Sequence, residues 1–326
     1  MSKLYLGVDV GSVSTNLVTM DEAGEVRQAL YLRTQGRPLD NIKRGLSQLE
    51  LRGDTIAGVG TTGSARNLAA AVLGADVVKN EITAHAVASS TLVPGVQTIL
   101  EIGGQDSKII ILRNSVVTDF AMNTVCAAGT GSFLDQQAGR LGIAIEDFGD
   151  IAVGSTMPVR IAGRCSVFAE SDMIHKQQLG HNMTDILAGL CEAMVRNYLN
   201  NVGKGKDIQA PVVFQGGVAA NKGIRKAFEK ALGLQVEIPQ YYNVMGAVGS
   251  AILAKEAVAN GKPSNFRGIS TAGGDFCATS FECTGCPNLC EIVQIGLKDD
   301  VLARWGDRCG KWGVQEVVEP EKIVSA

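Results

Sequence analysis

The sequence predicts an α/β fold made of two similar halves, followed by a cysteine-rich segment. A strand, a glycine-containing turn and a second strand begin near residue 4, and the same pattern returns near residue 97. In each copy an acidic residue, Asp9 or Glu101, stands two positions before a glycine of the turn. The 39 glycines lie at strand ends and helix starts, as is typical of α/β proteins. Such a repeat indicates two related domains, although two unrelated hairpins would give a similar pattern.

The predicted elements follow in order along the chain. The strand at residues 4–10 and the apolar run NLVTM form the first hairpin, with a polar turn at residues 22–25. The segment QTILEIGGQDSKIIILRNSVVTDF predicts three more strands separated by turns. Apolar periodicity predicts a strand over 211–217 and helices over residues 39–51, 63–73, 81–92, 132–141, 167–179, 184–200, 221–232 and 245–259.

The helical pattern stops at Pro263-Ser264-Asn265, and the sequence that follows is short, Gly-rich and Cys-rich. We therefore expect domain I at residues 1–95, completed by a helix within 243–260. Domain II is expected at 96–242, and a Cys-rich appendage at 261–326.

Composition excludes several classes of function. Of the 326 residues 45% are apolar and 19% charged, with a formal net charge of −3. Because no basic patch with aromatic residues is present, no nucleic-acid partner is expected. No apolar run reaches about 18 residues, so no membrane span is expected. The opening MSKLYLGVDV is typical of a buried strand rather than a signal peptide. For the cytoplasmic protein that this predicts, eight cysteines indicate metal or redox chemistry rather than disulfides.

The two hairpin turns have the composition of phosphate-binding loops, because small residues let backbone N–H groups approach phosphate oxygens. No Walker pattern is present. Carboxylates at Asp9, Glu101 and Asp106 would hold Mg²⁺, which prefers oxygen ligands. The predicted nucleotide contacts are Gly11, Ser12 and Thr15 in the first turn, Gly103 and Gly104 in the second, and Gly216, Gly217 and Asn221 after the strand at 211–217.

Several longer stretches together resemble one ATPase superfamily, that of acetate and sugar kinases, Hsp70 and actin. Within it the sequence is similar to the BadF/BadG/BcrA/BcrD family, and in particular to activators of 2-hydroxyacyl-CoA dehydratases. The matching stretches lie within residues 4–255 and are GVDVGSVSTNLV, GTTGSARN, EITAHA, EIGGQDSKII, NTVCAAGTGSFLDQQAGRLGI, GRCSVFAESDMIHKQ, FQGGVAANKGIRKAFE and PQYYNVMGAVGSAILA. The resemblance implies a two-domain fold with a ribonuclease H-like repeat that binds ATP or ADP with Mg²⁺.

The catalytic residues that we expect in such an ATPase come from the two hairpins. Asp9, Glu101 and Asp106 would surround Mg²⁺ and the attacking water, and Gln105 would orient that water. Lys108 is compatible either with this site or with a solvated position in the hairpin. The three histidines, His85, His175 and His181, are expected at the surface or in helix packing.

Two cysteines in the middle of the chain, Cys126 and Cys165, each precede a predicted helix. Cys165 stands directly before Ser166, which is expected to cap its helix. The positive end of a helix dipole favours the thiolate form of a nearby cysteine. Cys191, in an apolar helix, is expected to be a small buried side chain.

The resemblance implies more for Cys126 and Cys165. It implies a homodimer in which the two residues of each chain bind one shared [4Fe–4S] cluster. ATP binding and hydrolysis would then drive one electron at low potential to a partner enzyme. Ferredoxin or flavodoxin would supply the electron. The acceptor would be a 2-hydroxyacyl-CoA dehydratase, a benzoyl-CoA reductase-like enzyme or a protein with a double-cubane cluster.

Four more cysteines near the end of the chain have the spacing of a second metal site. Cys283, Cys286 and Cys290 lie close together, and Cys309 follows at a distance. This spacing suits either zinc or a [4Fe–4S] cluster. Cys277 is a spare ligand, and idle thiols are the alternative.

Two other functions are compatible with the same fold. A small-molecule kinase would need a base on the substrate side and no cluster. An ATP-dependent chaperone for a metalloenzyme would bind ATP and a partner without passing an electron.

Overall fold

The computed structural model describes residues 2–123, 125–163, 165–298 and 300–313. These residues form two compact units. Unit 1 combines the chain up to Ala84 with the chain from Gly246 onward, and unit 2 runs from His85 to Met245.

The described chain contains both strands and helices. The strands are β1 (Lys3–Val10), β2 (Ser14–Asp21), β3 (Val26–Arg33), β4 (Thr55–Thr62), β5 (Val77–Val78), β6 (Thr98–Ile102), β7 (Ser107–Arg113), β8 (Val116–Asn123), β9 (Val212–Gln215), β10 (Val236–Glu237), β11 (Phe276–Glu282), β12 (Glu291–Leu297) and β13 (Asp300–Trp305). The α-helices are α1 (Pro38–Gln48), α2 (Arg66–Leu73), α3 (Glu81–Leu92), α4 (Gly131–Leu141), α5 (Ile145–Val153), α6 (Ser166–Gln178), α7 (Met183–Asn201), α8 (Lys222–Leu232) and α9 (Met245–Ala257).

The predicted α/β repeat is confirmed by the topology of the two five-stranded sheets. The sheet of unit 1 has the order β3-β2-β1-β4-β5, and that of unit 2 has the order β8-β7-β6-β9-β10. In both, the first strand pairs antiparallel with the second and parallel with the fourth. Each strand of one sheet therefore has a counterpart in the other.

The register of the two sheets places the acidic residues of the repeat at equivalent positions. Asp9 on β1 lies opposite Asn16 on β2. Glu101 on β6 lies opposite Lys108 on β7 and, on its other side, opposite Gln215 on β9. Lys108 is thus the counterpart of Asn16, so the two halves differ by one positive charge at matched positions.

Helix α9 belongs to unit 1 because the sheet of that unit presents glycines to it. A Cβ atom on Gly7 of β1 would overlap the carbonyl oxygen of Ala247, and one on Gly60 of β4 would overlap that of Ser250. Only glycine allows this close approach of a strand to a helix backbone. The last helix of the repeat therefore packs directly on strands formed near the start of the chain.

Unit 2 has a core in which α5, α7 and α8 pack against one another and around aromatic side chains. Tyr198 and Phe228 meet edge to face, with ring centroids 5.2 Å apart, and Phe214 meets Phe228 in the same way at 5.1 Å. Burial raises the pKa of Tyr198 well above its usual value, and its hydroxyl donates a hydrogen bond to the carbonyl of Lys108. The core of unit 2 therefore reaches directly to strand β7.

The segment beyond α9 forms a three-stranded antiparallel sheet, β11-β12-β13. The sequence did not predict these strands. Ile295 and Leu302 of this sheet lie in the same buried cluster as Leu46 of α1 and Val72 of α2. The Cys-rich segment is therefore part of the core of unit 1.

The connection to this sheet is also fixed. The carboxylate of Asp76 accepts hydrogen bonds from the Ser264 hydroxyl at 2.6 Å and from the Asn265 backbone N–H at 2.7 Å. Asp76 lies just before β5, so the linker after α9 is tied to the edge of the unit 1 sheet. In the part of the chain that the structure describes, no helix is long and apolar enough to cross a membrane.

Candidate functional site

The phosphate loop predicted in unit 1 is a tight turn between β1 and β2. The N–H of Gly11 donates to the carbonyl of Ser14 at 2.9 Å, which closes the turn. Ser12 is exposed at its tip, whereas Thr15 is fully buried and shares a 3.0 Å hydrogen bond with Thr34. Ser12 and the backbone of the turn are therefore open to a ligand, and the Thr15 side chain is turned into the protein.

The carboxylate of Asp9 lies between two glycines. A Cβ on Gly63, after β4, would lie 2.6 Å from Asp9 Oδ1, and a Cβ on Gly246, in the first turn of α9, would overlap Asp9 Oδ2. A carboxylate beside the first turn of a helix is stabilised by the helix dipole. The sequence did not assign these glycines to the site, although they lie in the matching stretches GTTGSARN and PQYYNVMGAVGSAILA.

The predicted loop of unit 2 is built in the same way. The N–H of Gly103 donates to the carbonyl of Asp106 at 3.0 Å, as Gly11 does to Ser14. Gln105 is exposed at its tip. The two loops are therefore matched in closure as well as in position.

The unit 2 loop is bonded directly to the start of α4. The N–H of Gly131 donates to the carbonyl of Gly103 at 2.9 Å, and that of Ser132 donates to the carbonyl of Gly104 at 2.8 Å. The hydroxyl of Ser132 donates to the same Gly104 oxygen. Two of the N–H groups that a helix start leaves without intrahelical partners are thus used to hold the loop.

An ion-pair cluster of Lys108, Glu101 and Asp106 adjoins this loop. Lys108 Nζ lies 3.1 Å from Glu101 Oε2 and 2.8 Å from Asp106 Oδ2. Lys108 is 2% exposed, so the alternative of a solvated hairpin lysine is wrong. Its burial is supported by two carboxylates, because a buried ammonium needs paired charges.

The third predicted nucleotide contact follows β9. Gly216 has a positive φ of 88°, and a Cβ there would lie 2.8 Å from Glu101 Oε1, just as Gly63 faces Asp9 in unit 1. Gly217 is exposed. Asn221 caps α8 by accepting the Ile224 N–H at 3.0 Å, and its Nδ2 is buried with no hydrogen-bond partner.

A buried hydrogen-bond network adjoins Glu101, and sequence reasoning missed it. Gln215, opposite Glu101 in the sheet, accepts the Ser89 hydroxyl at 2.8 Å, and its amide nitrogen lies 2.7 Å from Nδ1 of His85. All three side chains are buried. His85 is thus a packing residue of α3, whereas His175 and His181 are exposed.

Both central cysteines are half-buried thiols in unit 2, and each directly precedes a helical segment. Cys126 caps the 3₁₀ turn Ala127–Gly129 that leads into α4. Cys165 itself, rather than Ser166, is the N-cap residue of α6, because Ser166 already has helical geometry. Since α6 contacts the turn after Cys126, the two thiols lie on neighbouring elements.

The surroundings of Cys126 are polar on one side and apolar on the other. Asn123 holds the Cys126 backbone through two hydrogen bonds of 2.9 Å, and Asn197 Nδ2 lies 3.9 Å from its sulfur. Val125 is 94% exposed, and Val167 and Phe168, just after Cys165, are 67% and 66% exposed. Three apolar side chains that are close to the two cysteines in sequence are therefore exposed.

The cysteines near the end of the chain lie on the hairpin of β11 and β12 and on the segment after β13. The N–H of Cys283 donates to the carbonyl of Cys290 at 2.8 Å. Hydrogen bonds from the indole N–H of Trp312 and from the backbone of Gly285, with the charge of Lys311, hold the pKa of the Cys283 thiol below its usual value. Cys286 and Cys309 are exposed, and Cys290 is half-buried. The described part of the chain contains no group of three or more His, Cys, Asp or Glu residues placed to hold a metal ion.

Two matched sheets with matched acidic turns define a two-sheet α/β ATPase fold. Residues 6–254 match the model of the BadF/BadG/BcrA/BcrD ATPase family, and the chain belongs to this family.

Its relatives include activators of acyl-CoA dehydratases. The chain is 35% identical to the (R)-2-hydroxyglutaryl-CoA dehydratase activating ATPase of Acidaminococcus fermentans, over 79% of this chain and 100% of that one. The solved structure of A. fermentans (R)-2-hydroxyglutaryl-CoA dehydratase component A superposes with a TM-score of 0.72 and 33% identity, again over 79% and 100% of the two chains. The activator of the 2-hydroxyisocaproyl-CoA dehydratase from Clostridium difficile, solved with ADPNP, gives a TM-score of 0.68 and 30% identity over 78% of this chain and 95% of that one.

Proposed function

We propose that the chain is an ATP-dependent one-electron reductase that activates a partner iron–sulfur enzyme. ATP hydrolysis at the two hairpin loops would drive electron transfer from a [4Fe–4S] cluster held by Cys126 and Cys165 and their counterparts in a second chain. The observation that carries this proposal is the direct bonding of the unit 2 loop to α4, because the turn before α4 begins at Cys126.

The proposal that the chain binds nucleotide rests on the two hairpin loops. The backbone N–H groups and Ser12 at the turns would bind phosphate, since small residues let the backbone approach the oxygens. Asp9 in unit 1, and Glu101 and Asp106 in unit 2, supply carboxylates of the kind that would hold Mg²⁺, which commonly binds through one or two carboxylates together with substrate phosphates. Magnesium would supply charge neutralisation at the transferred phosphoryl group. Gln105, exposed beside this loop, would orient the attacking water.

The proposal that the chain binds an iron–sulfur cluster rests on the chemistry and placement of the Cys126 and Cys165 thiols. Both lie at helical starts, and thiolate is the usual ligand of iron–sulfur clusters. The cluster would supply a single electron at low potential. One chain gives two of the four ligands that a cubane needs. The exposed Val125, Val167 and Phe168 around the thiols are suited to burial against a second copy of the chain.

The chain's own contribution to the coupling is mechanical. A shift of Gly103 and Gly104 on phosphate binding or release is passed to Gly131 and Ser132 through three hydrogen bonds. The turn after Cys126 is itself hydrogen-bonded to the start of α4, through Thr130 N–H to the Ala127 carbonyl and Phe133 N–H to the Thr130 carbonyl, so the two would move together. The position of the Cys126 thiol would therefore depend on the state of the nucleotide.

The partners that we propose follow from the relatives and from the chemistry. A ferredoxin or flavodoxin would supply the electron. The acceptor would be a 2-hydroxyacyl-CoA dehydratase, a benzoyl-CoA reductase-like enzyme or a double-cubane protein. The second metal group, at Cys283, Cys286, Cys290 and Cys309, stays a prediction.

The experiment is anaerobic purification of the full chain with iron analysis and EPR, with and without MgATP. We expect brown protein with about two iron atoms per chain from one shared [4Fe–4S] cluster. Cys126→Ser and Cys165→Ser should each abolish the cluster signal and keep ATP binding. Cys191→Ser, which alters a buried thiol in α7, is the matched control and should keep the cluster.

Other outcomes would identify the alternatives. Colourless, iron-free protein that phosphorylates a sugar would show a small-molecule kinase instead. Protein that binds ATP and a metalloenzyme but passes no electron would show a chaperone. A full [4Fe–4S] signal in either serine variant would overturn the ligand assignment.

A further inference from the structure

Lys108 is a buried cation between two carboxylates, and the proposed reaction does not use it. Its Nζ lies 2.8 Å from Asp106 Oδ2 and 3.1 Å from Glu101 Oε2. Glu101 is buried, whereas the Asp106 side chain is 31% exposed. The ammonium therefore bridges an inner carboxylate and one at the open loop.

The repeat shows that the fold itself does not require this lysine. The counterpart of Lys108 in unit 1 is Asn16, which lies opposite Asp9 as Lys108 lies opposite Glu101. Asn16 is also buried and is neutral. The same hairpin thus forms with and without the positive charge, which indicates that the charge serves the second loop specifically.

The position of the ammonium is one that a divalent cation would also favour. The carboxylate oxygens Glu101 Oε2 and Asp106 Oδ2 both face the ammonium of Lys108. Mg²⁺ binds through one or two carboxylates, with phosphates and waters as the other ligands. With Lys108 present, the cluster of Glu101, Asp106 and Lys108 has a formal charge of −1. Without it the charge would be −2, and the attraction for a divalent ion would be much stronger.

We propose that Lys108 is a positioning residue that takes the place of a divalent ion between Glu101 and Asp106 and makes binding of that ion depend on the nucleotide. In the nucleotide-free chain the ammonium neutralises the two carboxylates, so the free metal binds weakly. When the triphosphate enters, its negative charge attracts both the ammonium and the metal, and the carboxylates become available to the metal. This proposal rests on the nucleotide site in the proposed function.

Manganese binding to the full-length chain without nucleotide tests this role. Free Mn²⁺ gives an EPR signal that disappears on binding, so its dissociation constant can be measured directly. We expect Lys108→Met to bind Mn²⁺ at least tenfold more tightly than the unmodified chain. The advantage that ADPNP gives to Mn²⁺ binding should shrink by a similar factor. Lys108→Arg, which keeps the charge, should leave the nucleotide-free affinity low.

The matched control is a lysine that is paired elsewhere in the same unit. Lys206 Nζ lies 2.7 Å from Asp119 Oδ1 on the outer strand β8, so Lys206→Met removes an ion pair away from the loop. It should leave Mn²⁺ binding unchanged. Equal or weaker nucleotide-free binding in folded Lys108→Met, compared with the unmodified chain, would overturn the proposal, because a purely structural lysine predicts that result.

A second comparison covers the case in which Lys108→Met does not fold. The double change Glu101→Gln with Lys108→Gln removes the inner ion pair as a whole, which proteins tolerate better than an unpaired buried charge. Asp106 then stands without its ammonium, and Mn²⁺ should bind more tightly than in Glu101→Gln alone. Equal affinities would overturn the proposal.

Since no reductant or partner is present, this result is independent of electron transfer. Absence of a cluster would refute the proposed function and leave the manganese result intact.

Discussion

Replacing Ile295 by alanine tests whether the sheet beyond α9 is part of the core of unit 1. Ile295 is 0% exposed and shares a cluster with Leu46 and Val72. The change removes three carbons, a transfer cost of about 2.4 kcal/mol at ~0.8 kcal/mol for each. Observed costs of such changes, with the cavity included, are about 2–5 kcal/mol, whereas Ile295→Val should cost about 0.5–1.5 kcal/mol.

Urea unfolding measures this effect with a probe in the right place. The chain has two tryptophans, Trp305 in β13 and Trp312 after it, so tryptophan fluorescence reports the state of this sheet. With a slope of about 2 kcal/mol per molar urea, the expected midpoint shift in Ile295→Ala is about 1–2.5 M. Because the cluster is shared, the loss of helical circular dichroism from unit 1 should shift with it.

The control is Leu289→Ala, which changes an exposed side chain of the same segment. It should shift the free energy of unfolding by no more than about 0.5 kcal/mol. A fluorescence transition that moves alone, while the circular dichroism stays in place, would refute the reasoning. The segment would then be an independent appendage, as its sequence alone had indicated.

Three further predictions concern the sites. Gly246→Ala places a methyl group against the Asp9 carboxylate, and we expect ATP hydrolysis to fall at least tenfold in steady-state assays while the fold is kept. Ser132→Ala removes the hydroxyl bond to the unit 2 loop, and should weaken the effect of MgATP on the cluster EPR signal more than it weakens hydrolysis. Trp312→Phe removes the indole donor, so the pKa of Cys283 should rise, and the pH profile of its alkylation should move to higher pH.

Each of these has a control and an outcome that contradicts it. Gly139→Ala adds a methyl group where no atom lies within 4 Å, and equal activity of the two glycine variants would contradict a tight fit around Asp9. Ser132→Thr keeps the hydroxyl and should keep the coupling. For Cys283 the sign is fixed: its lowered pKa means more thiolate at neutral pH, so an unchanged alkylation profile in Trp312→Phe would exclude the indole as a cause.

The sequence was sufficient to predict the repeat and most helices, because these depend on local patterns. Helix α3 has the predicted bounds, and α7 differs by one residue at each end, since its apolar face is continuous. Strand β11 could not be predicted in the same way. Most of its side chains are exposed, so it has no alternation of apolar and polar residues to mark it as a strand.

Of the candidate site, only the residues that belong to sequence motifs could be predicted. Acids and glycines at the two turns were visible in the repeat. The burial of Lys108 was not, because its ammonium pairs with the buried Glu101 of the neighbouring strand β6. The contact of Gly246 with Asp9 joins opposite ends of the matching region, and no local pattern carries that information.

The division of unit 1 between the two ends of the chain has a consequence for synthesis on the ribosome. Unit 2 is continuous from His85 to Met245 and can fold as soon as that stretch has emerged. The first strand must wait, because the Gly7 face of β1 is covered by α9 and the nearby core is completed by Ile295. Domains generally fold in order of emergence. Here the order is reversed, so the first residues made are among the last to reach their final packing.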